Sequence, residues 1–184
     1  MKKILLTVVV LLMLAVGAVF SSYNGLVSMN ENVNGKWSQV ETQLQRRSDL
    51  IPNLVNTVKG YSTHEEKVFD DVANARAKLA GAQSVQDAAA ANGELSGALT
   101  RLLALSENYP NLKANTNFIQ LQDELAGTEN RLAVARKDYN DAVQAFNAKI
   151  KTVPTSIIAG MTGFTARSYF QADQGAQKAP QVKF

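Results

Sequence analysis

The chain has 184 residues, of which 46% are hydrophobic and 19% charged, and its formal net charge is +3. This length suits one domain with short appendages. The absence of cysteine excludes disulfides, thiolate metal sites, a cysteine nucleophile and a lipidated cysteine, and it leaves the redox compartment open. Without Lys2 and Lys3 the net charge falls to +1, and the other basic residues alternate with acids. A nucleic-acid binder usually has a basic stripe, so we expect no nucleic-acid partner.

The first element is an apolar run over residues 4–20, which ends at Phe20 and follows Lys2 and Lys3. As a helix it is about 25 Å long, and continuation to Tyr23 would span a hydrocarbon core of roughly 30 Å. Two interpretations are open, an uncleaved signal anchor and a cleavable signal peptide, and the length of the run favours the anchor. The two lysines predict a cytoplasmic N-terminus, with the remainder outside the inner membrane, in the periplasm of a two-membrane bacterium.

An apolar stripe with alternating spacings of three and four residues follows the anchor and predicts a long helix that ends near Ala80. The spacing keeps its phase across Pro52, so one kinked helix is expected instead of two. Trp37 and Tyr61 are predicted core residues on this stripe. The stripe consists of Val33, Trp37, Val40, Leu44, Arg47, Ile51, Leu54, Val58, Tyr61, Glu65, Val68, Val72, Ala75 and Leu79.

A second helix is predicted to start at Ser84, which is a plausible N-cap with Asp87 in the first turn, and to end near residue 108. The sequence Tyr-Pro-Asn at 109–111 predicts a break. A third helix is predicted over residues 115–152, capped by Thr116 or Asn117 and ended by the proline at 154.

The last predicted helix is short, begins at Thr155 or Ser156, and continues through the aromatic residues Phe164, Tyr169 and Phe170. Two alternatives stay open for these aromatic residues: they close the end of the bundle, or they form an interfacial contact with a bilayer. The elements together predict an all-α fold. Its predicted parts are an N-terminal transmembrane helix over 1–23, an elongated antiparallel up-down bundle of three long helices and one short C-terminal helix over 24–170, and a disordered tail over 171–184.

Two charged residues, Arg47 and Glu65, interrupt the apolar stripe. One interpretation is that they reach solvent along an exposed part of the stripe. The other is a buried polar network with acids of another helix, such as Glu124, Glu129 or Asp138, which would fix the register of the helices. The predicted structural and register residues are Arg47, Glu65, Pro52, Trp37, Tyr61, Glu129, Arg131 and Tyr139.

Motifs of catalysis and metal binding do not occur in recognisable form. His64 is the single histidine; it lies beside Glu65 and Glu66 and lacks the second histidine of a zinc-protease helix. No nucleophile elbow accompanies it, and the glycines at 160 and 163 lack the Lys-Ser/Thr ending of a phosphate loop. We therefore predict no enzyme activity, no cofactor, and no catalytic, cofactor-binding or metal-ligating residue.

Several segments of the chain resemble the LemA family of bacterial membrane-anchored proteins. They lie at 23–27, 37–41, 43–55 (QLQRRSDLIPNLV), 58–61, 64–65, 129–140, 154, 163–164 and 169–170, and the most specific block runs from Arg46 to Tyr61. The resemblance implies one N-terminal transmembrane helix followed by an antiparallel helical bundle, and it implies no catalytic residues. A relative in magnetosome-forming bacteria is linked to making internal membranes, and other members tend to be encoded beside membrane proteases.

These inferences predict a non-enzymatic scaffold of the bacterial envelope that self-assembles and organises membrane or membrane-protein complexes. Its expected partners are the lipid bilayer, through an anchor flanked by Lys2, Lys3, Phe20 and Tyr23, further copies of the same chain, and an envelope membrane protein. The alternative is a monomeric adaptor that binds a partner membrane protein such as a protease.

Overall fold

A computed structural model describes residues 1–62 and 65–171, and within these ranges the chain is helical with no β-strand. This confirms the all-α fold class. The histidine at 64 and the predicted disordered tail, apart from its first residue, lie outside the described residues. The helices are α1 (Lys2–Lys59), α2 (Glu66–Ala80), α3 (Val85–Leu105), α4 (Pro110–Lys113), α5 (Thr116–Lys149) and α6 (Thr155–Thr162), with a 3₁₀ turn at Ser106–Asn108.

Helix α1 continues without interruption from the apolar run into the predicted stripe, and it includes Pro52. Its stripe is buried as the periodicity predicts: Val33, Val40, Leu54 and Val58 have no exposed surface. The helix continues through Asn24-Gly25, a dipeptide typical of turns, and Leu26 directly after it is fully buried.

The first helix ends earlier than the sequence predicted, because α1 stops at Lys59 and α2 begins at Glu66 as a separate helix. Helix α2 buries Phe69, Val72, Ala75 and Leu79. A repeat of three and four residues marks one face of any helix, so the same spacing on both sides of a chain reversal imitates a single longer helix. The expected 3-4 series therefore predicted the buried faces and missed the reversal.

Helix caps agree with the sequence at α3 and differ at α5. Ser84 caps α3, since its Oγ accepts a hydrogen bond from the Asp87 amide at 3.0 Å. The α5 cap is Asn115 instead of Thr116 or Asn117, and its Oδ1 accepts from the Phe118 amide at 3.0 Å. The predicted break at 109–111 follows the 3₁₀ turn at Ser106–Asn108 and overlaps the start of the short α4.

Helix α6 also differs at its start, because Pro154 occupies the N-cap position and no side chain of Thr155 or Ser156 caps the helix. Gly163 ends α6 with φ +80°, a left-handed conformation that glycine adopts without steric cost. The Phe164 amide then donates to the Ala159 carbonyl at 3.0 Å.

The chain divides into two compact units. The first comprises Met1–Trp37 and Asp138–Arg167, and the second comprises Ser38–Lys137 and Ser168–Phe184. In the first unit residues 23–37 of α1 lie against the end of α5, and Tyr23 contacts Phe164, which follows α6. The ion pair between Lys36 and Asp138, at 3.0 Å, and the ring contact between Trp37 and Tyr139, at 5.3 Å, mark this packing.

In the second unit the later part of α1, α2, α3 and the first part of α5 form an up-down bundle, with the short α4 between α3 and α5; a single helix was predicted where α1 and α2 lie. Ion pairs join Lys78 to Glu94 at 2.6 Å and Arg101 to Asp71 at 3.2 Å, so α2 and α3 are antiparallel. A hydrogen bond of 2.9 Å from Asn115 to the Tyr61 hydroxyl and an ion pair of 2.6 Å between Arg47 and Glu129 make α1 and α5 antiparallel. Short connections between successive helices favour this arrangement.

Candidate functional site

The most distinctive polar feature of the second unit is a charged group in its core. Arg47 of α1 is only 6% exposed, between the buried stripe residues Leu44 and Ile51. Its Nη1 donates to Asn92 Oδ1 on α3 at 2.8 Å and lies 2.6 Å from Glu129 Oε2 on α5. One guanidinium group therefore joins three helices.

Glu129 extends this cluster, because its other oxygen, Oε1, accepts a hydrogen bond from Arg136 Nη2 at 2.8 Å. The Arg136 guanidinium in turn lies over the Phe170 ring, 5.4 Å from its centroid. We call Arg47, Asn92, Glu129 and Arg136 the Arg47 network. Two guanidinium groups contact its single carboxylate, so Glu129 links the two arginines.

The structure assigns different partners to the three acids that the sequence offered for Arg47. Glu129 lies against Arg47, Glu124 pairs with Arg46 at 3.2 Å on the surface, and Asp138 pairs with Lys36. The role of the network in helix register stays a prediction. Sequence reasoning missed Asn92, although its spacing offered a signal.

That signal is the position of Asn92 four residues after Ala88 and three before Leu95, which places an amide on the buried face of α3. It is 2% exposed. A polar residue at such a position needs a partner from another helix.

Pro52 affects how α2 packs against α1. Proline lacks an amide hydrogen, so the carbonyl of Ser48, four residues earlier, loses its usual donor within the helix. Arg76 of α2 supplies one instead: its Nε donates to the Ser48 carbonyl at 3.1 Å. The proline therefore creates a docking point for α2 on α1.

Three of the other predicted residues, Tyr61, Glu65 and Arg131, lie outside the buried core, which corrects the core prediction for Tyr61. Tyr61 is 41% exposed, because it follows the end of α1. Its hydroxyl accepts a hydrogen bond from Asn115. Glu65 is half-buried and precedes α2, so it does not interrupt a continuous stripe. Arg131, the third predicted residue here, is exposed and donates to Thr128 Oγ1 at 3.2 Å.

Trp37 and Tyr139 contact one another inside the first unit, where Trp37 is half-buried and Tyr139 is 1% exposed. Burial raises the pKa of the Tyr139 phenol above its ordinary value, and the positive charge of Arg167 opposes the shift. Arg167 is held in place because its amide donates to Asn147 Oδ1 and its carbonyl accepts from Asn147 Nδ2, both at 2.8 Å.

The end of the first unit next to the apolar run contains a row of aromatic rings. Phe164 lies between Tyr23 of α1 and Phe146 of α5, with centroid distances of 6.1 Å to each. Phe20 is 65% exposed, and Lys2 and Lys3 are exposed as well.

The aromatic residues near the C-terminal end behave differently from one another. Phe170 is 4% exposed, beneath Arg136, which agrees with the alternative that it closes a bundle. Phe164 is half-buried, and Tyr169 is 42% exposed. An interfacial role for these residues stays a prediction, and Phe170 offers it no free surface.

Helix α1 is long and apolar enough to cross a membrane: an 18-residue window within it has a mean hydropathy of 2.8, and none of this window is buried. Among the described residues, no group of three or more His, Asp or Glu side chains could hold a metal ion.

The sequence model of the LemA family matches residues 36–184. The chain belongs to the LemA family. It is 28% identical to the magnetosome protein MamQ 2 of Paramagnetospirillum magneticum, over 81% of this chain and 64% of that protein. It is 27% identical to the magnetosome protein MamQ of Magnetospirillum gryphiswaldense, over 80% and 64% respectively.

A third relative is protein LemA of Metamycoplasma hominis, at 23% identity over 82% of this chain and 69% of that protein. The chain spans somewhat less than two thirds of the length of the MamQ relatives it matches. It is a helical LemA-family protein whose N-terminal helix has the length and composition of a membrane anchor.

Proposed function

We propose that this protein is a non-enzymatic, membrane-anchored scaffold of the bacterial envelope that self-assembles and organises membrane or membrane-protein complexes. The observation that carries the proposal is the continuity of α1. Its first part is an apolar segment in which an 18-residue window has no buried residues, and its later part packs in a helical bundle. Since no linker separates the two, lateral association of either part fixes the spacing of the other.

The proposed anchor comprises residues 1–23. Its large apolar side chains are exposed, as lipid contact requires, and Lys2 and Lys3 favour a cytoplasmic N-terminus with the bundle outside the inner membrane. Tyr23 lies at the end of the proposed transmembrane segment, where aromatic residues are common at the membrane interface.

A non-enzymatic role is supported by the chemistry of the Arg47 network. Its one carboxylate contacts two guanidinium groups, Arg47 and Arg136, in the arrangement of a structural ion-pair cluster. The names of the MamQ relatives associate them with the magnetosome, which is consistent with an organising role for this chain as well.

Self-assembly can be tested by disulfide scanning, because the chain contains no cysteine that would give a background. Single Cys substitutions at successive positions from Val8 to Val19 would be made in the full chain, expressed in membranes and oxidised. We expect covalent dimers whose yield varies with a helical period of about 3.6 residues, together with one discrete mass above the monomer in mild detergent. The matched control is Val134→Cys, an equally apolar and exposed position on α5.

A monomeric mass with no periodic cross-linking would contradict self-assembly and support the adaptor that binds a partner membrane protein. A chain that starts at residue 24 shows which part drives assembly: if it also assembles, the bundle is sufficient, and if it does not, the anchor is required.

A further inference from the structure

Helix α6 carries an apolar face that no part of the described chain covers. Ile157 is 62% exposed and Met161 is 82% exposed, and a spacing of four residues places them on one face of the helix. The opposite face packs inwards through Ile158 and Ala159. Val153, in the turn before α6, is also 80% exposed. We call Ile157 and Met161, together with Val153 in the preceding turn, the α6 face.

The position of α6 in the first unit relates this face to the proposed anchor. Phe164, directly after the glycine that ends α6, contacts Tyr23, whose ring centroid is 6.1 Å away. Tyr23 lies three residues, or about 5 Å of helix rise, beyond the last residue of the apolar run. If α1 spans the bilayer up to Tyr23, α6 lies at the level of the lipid headgroups.

The charge around α6 matches an anionic lipid surface. Lys149 and Lys151 precede the helix and are exposed, and the sequence contains no Asp or Glu between Asp141 and Asp173. A helix with exposed apolar residues beside lysines has the pattern of a segment that lies in the membrane interface. Lysines near a bilayer are attracted by the negative potential of anionic lipids.

We propose that the α6 face, with Lys149 and Lys151, lies on an anionic lipid surface and forms a second membrane contact beside the anchor. This rests on the proposed anchoring of α1. A second copy of the chain fits this face less well, because three exposed side chains are few beside the roughly 20–30 residues that each partner contributes to a standard interface. The second contact fixes the tilt of the first unit on the bilayer, which one spanning helix leaves free to change.

The test uses the full chain in lipid nanodiscs, with single Cys substitutions labelled by an environment-sensitive fluorophore. The probes are Ile157→Cys and Met161→Cys, and the control is Val134→Cys, which is as exposed as Ile157. We expect blue-shifted emission at the two α6 positions and quenching by spin-labelled lipids at least about twofold above the control. Lys149→Gln combined with Lys151→Gln should reduce this quenching in anionic nanodiscs and leave it unchanged in zwitterionic ones.

Equal quenching at α6 and at Val134 would overturn the inference. So would a blue shift that depends on protein concentration and persists in detergent without quenching by lipid, because that result would assign the face to a second copy. The anchor is tested separately by alkaline extraction of membranes. If the chain is extracted, both proposals fail; if it is retained without quenching at α6, only the α6 contact fails.

Discussion

The Arg47 network makes an asymmetric prediction about the stability of the second unit. Arg47→Met removes a buried charge and replaces it with an apolar chain of similar length. Glu129 still pairs with Arg136, and 41% of its side-chain surface is exposed to solvent. The main loss is the hydrogen bond from Arg47 to Asn92, which lowers the free energy of unfolding by about 1 kcal/mol. Glu129→Leu, by contrast, leaves the Arg47 guanidinium, 7% exposed, without its carboxylate.

Removal of one partner from a buried ion pair costs roughly 3 kcal/mol or more, because the remaining charge stays desolvated. For a chain of this size, about 3 kcal/mol lowers the melting temperature by roughly 6–12 °C, and about 1 kcal/mol lowers it by roughly 2–4 °C. Thermal unfolding of the full chain in mild detergent measures both values. The double variant should be more stable than Glu129→Leu alone, since it no longer buries a charge without a carboxylate partner.

The matched control is the neighbouring surface pair, Arg46 and Glu124, which also joins α1 to α5 but is about half exposed on both sides. Arg46→Met and Glu124→Leu should each change stability by about 0.5 kcal/mol or less. If Arg47→Met destabilises the protein as much as Glu129→Leu, or if the double variant shows no recovery, the desolvation argument is refuted.

The same Arg47→Met variant tests the predicted role in helix register. We expect the fold to persist while amide exchange in α3 and α5 becomes faster near the substituted site, because apolar contacts alone define helix register less sharply than a directed ion pair. Unchanged exchange together with an unchanged oligomeric state would count against a register role.

Three further predictions concern single contacts. Arg76→Met should lower the free energy of unfolding by about 1–2 kcal/mol, measured with denaturant. The loss should be smaller in a Pro52→Ala background, where the amide of residue 52 can donate to the Ser48 carbonyl; equal losses in the two backgrounds would contradict the proposed effect of the proline. Asn147→Ala removes two hydrogen bonds of 2.8 Å and should cost about 2 kcal/mol, against about 0.5 kcal/mol or less for the exposed control Asn53→Ala. Because the folded-state pKa of Tyr139 is raised, the stability that its neutral phenol contributes is complete below pH 10.0 and is lost as the pH rises through the folded pKa. Tyr139→Phe should therefore flatten the pH dependence of the free energy of unfolding above pH 10.0, and an unchanged slope would contradict this prediction.

Periodicity predicted most buried positions correctly, because burial of one helix face depends on spacing alone. Val33, Leu54 and Val58 illustrate this on α1, and Phe118 and Phe146 do so on α5. The N-cap at α3 was also predictable, because a serine followed by an acid in the first turn stabilises the helix start locally.

The chain reversal after α1 was not predictable from the same spacing. Val68 belongs to the expected stripe but is half-buried, whereas Phe69 next to it is 6% exposed. The other buried residues of α2, Val72, Ala75 and Leu79, lie on the expected stripe, so only the first turn of α2 departs from it. Gly60 directly follows Lys59, the last residue of α1; this pattern is typical of a helix end, but the 3-4 spacing continues beyond it.

The sequence by itself determined which residues face inwards, where the proposed anchor lies, and that Arg47 needs a partner. These properties depend on the spacing and chemistry of neighbours in the chain. Only the tertiary structure decided that Glu129 is the acid at Arg47, that Asn92 joins it, and that Arg76 reaches the Ser48 carbonyl. Such choices depend on how far one helix is shifted along another, and this offset is a property of the packed helices together.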